Sequence, residues 1–173
     1  MAILPMLIDY LLLTGTSNVM ETFFVDSPEI AQNSIALAEL EDSIRNTAQQ
    51  YERAVKRAKS LLAGVDKETA ATIIAGTPRY VYMKQLGHKA LTPEDVSAII
   101  NALGTEEEKQ VITAFPQAQK ALNDRLKTTP IIGTVYKQAK LTSNQYYQRQ
   151  DVSERWTPEQ MIAVIDVLDR LRV

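Results

Sequence analysis

From Pro28 to Ala63 the chain runs for 36 residues with helix grammar at both ends and a seven-residue repeat between them, and this stretch limits every fold open to the rest. Ser27 suits a cap, Pro28 the first helical position, and Glu29 complements the helix dipole. Gly64, followed by a new start at Asp66, marks the stop. Between them Ile30, Leu37, Ile44, Tyr51 and Ala58 fall seven apart, and Leu40, Ala48, Ala54, Val55, Leu61 and Leu62 widen the stripe. One face of the predicted helix is therefore built to be buried.

The first half of that stripe is thin. Asn33, Ser34, Glu41 and Thr47 stand where a strong coiled coil carries Leu or Ile. A helix of this length spans about 54 Å, more than a domain of this size covers, so part of it is expected to project or to pack on a neighbouring subunit. Tyr51, at the centre of the stripe, is a candidate contact residue. Glu29, Glu39, Glu41 and Asp42 precede Arg53, Lys56, Arg57 and Lys59, an order that answers the dipole and favours head-to-tail or antiparallel pairing. A phosphate-binding basic end is the second reading of those cations.

The remainder supports an all-α class. Only six Gly and three Phe occur in 173 residues, helix formers abound, and alternating strand patterns are scarce. The expected architecture is an irregular helical bundle built on the long helix, with several short helices and an apolar N-terminal arm. Residues 1–27 form the arm and linker, 28–64 the long helix, and 65–173 a helical region packing on it within one domain. The 21 acidic and 19 basic residues leave a formal charge of −2, which argues against a general affinity for nucleic acid. The absence of cysteine excludes disulfides, thiolate metal sites and a cysteine nucleophile.

The arm, Met1 to Leu13, reads MAILPMLIDYLLL. It is too short to cross a hydrocarbon core of roughly 30 Å, and Pro5 and Asp9 interrupt it. No Lys or Arg precedes Arg45, so no secretory signal is expected, and the chain is read as soluble or held within a particle. Three fates are open to the arm: docking on its own core, insertion into another subunit, or an interfacial contact that is the sole route to a membrane. Met1, Ile3, Leu4, Met6, Leu7, Tyr10 and Leu11 are its candidate partner contacts.

Short helices are expected after Gly64: one capped by Asp66 and closed by Gly76, and one opened by Thr77-Pro78 and closed by Gly87. The pair outlines a helix-turn-helix at 70–86, with Arg79, Tyr80, Tyr82 and Lys84 as nucleic-acid candidates, although αα packing explains it as well. His88, the single histidine, sits at a helix stop as a surface or capping residue. Thr92-Pro93 and Thr105 to Glu108 open the next two helices, and Pro116 is expected to start or kink a further segment to about Lys127. Residues 131–136 fit a strand or a buried helical turn. Residues 137–155 read as a polar, Gln-rich region whose Tyr146 and Tyr147, with Trp156 at its end, suit a partner, the chain's own core or, through the interleaved Lys137, Lys140, Arg149 and Arg155, single-stranded nucleic acid, a field that Asp151 and Glu154 dilute. Thr157-Pro158 opens a terminal helix and echoes the capping grammar at Thr92.

No nucleotide-binding, serine-hydrolase, zinc-protease or EF-hand motif is present. Nominated carboxylate pairs such as Glu94 and Asp95 already have an explanation as first-turn residues. The sequence thus points to a non-enzymatic structural or interaction subunit, without cofactor, in a homo- or hetero-oligomeric assembly such as a phage or viral virion. The alternatives are a regulatory module binding nucleic acid through residues 70–86 and a secretion-apparatus subunit.

Overall fold

The computed structural model describes residues 28–171, except the side chains at 28–31, 33, 143, 146 and 150. Ser27 and the arm, with all seven of its candidate contacts, lie outside the described residues, as does the side chain of Tyr146. The fold is all-α. Among the described residues there are helices α1 (Pro28–Ala63), α2 (Lys67–Ile74), α3 (Pro78–Gln85), α4 (Pro93–Leu103), α5 (Glu106–Lys127), α6 (Ile132–Gln138), α7 (Ser143–Asp151) and α8 (Pro158–Leu171), with one 3-10 turn at Ser153–Arg155 and no strand.

The chain divides within α1, after Leu37. Of the first unit, only the helical residues from Pro28 to Leu37 are described, and Ile35 and Leu37 are exposed there. In the second unit the seven-residue repeat does what its spacing implies. Ile44, Ala48 and Tyr51 join Phe115, Leu122 and Leu126 of α5 and Met161, Ile165 and Leu168 of α8 in one apolar cluster. Ala58 and Leu62 join Ala70, Val81, Val96, Ile99 and Ile100 in another, and Val55 and Ile112 border both. The buried alanines let the helices approach closely, and each fully buried Leu or Ile contributes roughly 1.5–3 kcal/mol.

Glu41 is buried although it interrupts the repeat. Nε of Arg125 donates to its Oε1 at 2.8 Å, and Nη1 of Arg125 donates to Oγ1 of Thr129 at 2.9 Å. Burial raises the Glu41 carboxyl above its ordinary range, and the nearby Asp169 works in the same direction against Arg125. One turn on, Arg45 joins α1 to α8 through Asp169 and, at 3.4 Å, Asp166.

The helix boundaries follow local chemistry. Reciprocal capping boxes open α4 (Thr92 with Asp95) and α5 (Thr105 with Glu108), and Thr157 and Gln160 exchange equivalent bonds at the start of α8. Gly104 is extended rather than left-handed. A Cβ there would stand 2.7 Å from the carbonyl oxygen of Ile100, so glycine is required by crowding. The left-handed residue ending α2 is Ala75, at φ 53°, instead of the expected Gly76, whose missing side chain makes room for Val81.

Three readings left open by the sequence are decided. Pro116 lies inside α5 and does not begin a new segment: the helix runs through it, with Phe115 and Ala118 buried on either side. Of the two readings open for residues 131–136 the helical one holds: α6 begins at Ile132, and Val135 and Tyr136 anchor it in the first cluster. The polar region at 137–155 is mostly helical, because Thr142 and Gln145 form a capping box that opens α7.

Candidate protein-contact surface

The segment between α5 and α8 is built from two short helices whose inner sides are fixed and whose outer sides are open. Thr129-Pro130 ends α5, and α6 follows at once. It closes in a left-handed turn at Lys140, φ 57°, with the N–H of Leu141 donating to the carbonyl of Tyr136 at 3.0 Å.

Polar contacts hold α7 from within. The buried Arg149 donates from Nε to Oε1 of Gln160 at 2.9 Å and from Nη1 to the carbonyl of Gln145 at 2.6 Å. Its own carbonyl accepts from Nδ2 of Asn123 at 2.8 Å, and its guanidinium lies 5.5 Å from the centre of the Trp156 ring. The other side of α7 presents Tyr147, which is 63% exposed. Between Tyr147 and α6 opens a groove of about 490 Å³ lined by Ile132, Tyr136, Leu141 and Thr142, with Lys137 at its edge.

Lys137 is the one charged side chain among the residues that line the groove. No carboxylate side chain occurs between Asp124 and Asp151. Lys137 and Lys140 are exposed, and neither forms an ion pair among the described residues. A second groove, of about 580 Å³, lies between α1 and the start of α5, but Arg57 and Glu108, 3.7 Å apart on its walls, answer each other's charge.

Of the aromatic contact candidates, only Tyr147 is shown on the surface. Tyr51 is buried and stacks on Phe115 with ring centres 3.7 Å apart. Trp156 is 2% exposed: its Nε1 donates to Oδ1 of Asn123 at 2.7 Å, and its carbonyl accepts from Nε2 of Gln119 at 2.8 Å. Both rings belong to the chain's own core and are not offered to a partner. Heptad position and aromatic character marked them, but these also mark core residues.

The nucleic-acid candidates separate in a similar way. Arg79, Tyr80 and Tyr82 are exposed on α3, whereas Lys84 is buried and ion-paired with Asp95. Ammonium groups already cover the rings, with Lys84 and Lys89 over Tyr80 at 4.4 and 4.6 Å and Lys67 over Tyr82 at 4.2 Å. Nε2 of Gln85 bonds the carbonyls of Leu62 and Val65, both at 3.0 Å, so α3 is tied to the end of α1 as in ordinary helix packing. His88 is exposed, and its backbone N–H caps the same helix end.

No buried side-chain polar atom among the described residues lacks a hydrogen-bond partner, and no group of acidic and histidine side chains there could hold a metal ion. No described helix is long and apolar enough to cross a membrane. No protein-family model matches the chain, and neither the curated proteins nor the solved structures yield a match. The groove residues Ile132 and Leu141 were not singled out as contacts from sequence, although Thr142-x-x-Gln145 is a readable helix-start signal.

Proposed function

We propose that the chain is a non-enzymatic, protein-binding subunit of a larger assembly, and that the α6–α7 groove is where it meets its partner. The observation that carries the reading is the exposed Tyr147 beside a largely apolar groove that Lys137 helps to line, with exposed Lys140 next in sequence to the lining residue Leu141. Tyrosine buries a large ring at low entropic expense while its hydroxyl stays hydrated, so it suits a contact that forms from a soluble subunit. Arg149, Asn123 and Gln160 hold α7 from its inner side, which leaves Tyr147 preorganised for a partner. A phage or viral particle, or a secretion apparatus, is the kind of assembly proposed.

Site-specific photo-crosslinking tests this reading whatever protein the partner is. A benzophenone side chain at Tyr147 is expected to yield a discrete adduct with a protein chain in cells expressing the subunit, while the same group at exposed Thr72 on α2 yields none. Equal labelling from both positions, or no protein adduct from position 147, would remove the groove as the contact.

A further inference from the structure

The charge of this chain is divided along its length in a way the net value conceals. Asp9, Glu21, Asp26, Glu29, Glu39, Glu41 and Asp42 all precede Arg45, and no basic side chain does. Residues 1–44 therefore carry a formal −7, and the other 14 acidic and 19 basic groups leave residues 45–173 at +5. Two such chains repel when like segments meet and attract when the acidic segment of one meets the basic body of the other.

The two ends of that attraction are also matched in apolar character. The acidic segment begins with MAILPMLIDYLLL, whose single charged side chain is Asp9. In its described part Ile35, Leu37 and Leu40 are 58%, 38% and 37% exposed, so the segment presents apolar side chains outward. The body offers the α6–α7 groove: largely apolar walls, no lining carboxylate, Lys137 in the lining, and exposed Lys140 next in sequence to the lining residue Leu141. Residues 1–27 span about 90 Å when fully extended, ample for a neighbouring molecule.

We infer that the partner in this groove is a second copy of the chain, which inserts its apolar N-terminal arm between Ile132 and Tyr147 with Asp9 facing Lys137 and Lys140. This rests on the groove being a protein contact and adds the identity of what fills it. The contact is heterologous: each copy has one arm to give and one groove to receive. Repeating it produces a ring or an open chain rather than a symmetric dimer.

Complementation between two defective variants tests the arrangement. One lacks Met1 to Leu13 and keeps its groove; the other keeps its arm and carries Lys137→Glu, Lys140→Glu and Tyr147→Ser. All three substituted side chains are exposed, so the triple variant is expected to match the parent in helicity and melting temperature. Should the triple variant misfold, Lys137→Glu with Lys140→Glu replaces it. Neither variant alone is expected to self-associate, whereas an equimolar mixture should form a one-to-one heterodimer in sedimentation velocity. That heterodimer should weaken as salt is raised.

Self-association of either variant at the parental level would overturn the inference, and so would a mixture in which both stay monomeric, the outcome expected if the arm docks on its own chain. A crosslink from Tyr147 to a different protein would exclude the second copy and leave the groove as a contact surface.

Discussion

Trp156→Ala is expected to destabilise the folded chain by about 3–5 kcal/mol, the range for truncating a buried aromatic. The ring is fully enclosed, with Tyr136 stacked at 6.5 Å between centres and the Arg149 guanidinium over it. Its loss also orphans Oδ1 of Asn123, and the chain of contacts joining α5, α7 and the 3-10 turn passes through that amide. Trp156→Phe retains most of the bulk but not the donor, so roughly 1–3 kcal/mol of the effect should persist. Urea denaturation followed by far-ultraviolet circular dichroism reads both variants. A loss below about 1 kcal/mol for the alanine variant would place the indole outside the core.

The second large effect belongs to the buried pair Lys84–Asp95. Lys84→Met removes one charge and leaves the other without its counter-ion, which is expected to destabilise the chain by about 3–5 kcal/mol. Adding Asp95→Asn should recover much of that loss, since the amide oxygen still accepts the N–H of Thr92, now 2.7 Å from the carboxylate. A double variant no more stable than the single one would contradict the pairing.

The pair also has a pH signature. Burial alone would push the Asp95 carboxyl up, but hydrogen bonds from Lys84 and Thr92 hold it below its ordinary value of 3.8. A carboxyl depressed in the folded state contributes stability that is complete above 3.8 and is lost as pH falls through the lower folded value. With Lys84→Met much of that depression goes, so the acid side of the stability profile should flatten. Glu41 acts with the opposite sign. Its raised carboxyl means that its contribution declines as pH rises from 4.5 through the folded value.

Where local chemistry decides structure, the sequence was readable. Pro28, Gly64, Asp66, Thr92 and Thr105 mark helix ends through caps and fixed dihedrals that act within four residues, and the structure places helix ends beside each of them. Ile44, Tyr51 and Ala58 were legible as a buried face because a seven-residue spacing returns them to one side of a helix. The segment between α5 and α8 was not. Its internal stop is Lys140 in a left-handed turn, a conformation usually marked by glycine, so no break was visible at that point.

The ion pairs Glu41–Arg125 and Lys84–Asp95 were also unreadable, since their partners are 84 and 11 residues apart and only tertiary packing brings them together. Tyr51, Trp156 and Tyr147 share residue chemistry and differ in what the fold lays over them. That difference sorts two into the core and leaves one at the groove.

Sedimentation equilibrium of the full chain over a wide concentration series, at low and at high salt, is the most direct test that this is an assembly subunit. Species heavier than one chain, growing with concentration and diminished but not abolished by salt, are the expected result, because apolar burial persists where charge attraction is screened. The mass of a single chain at every concentration and both salt levels would contradict self-assembly through the arm and groove.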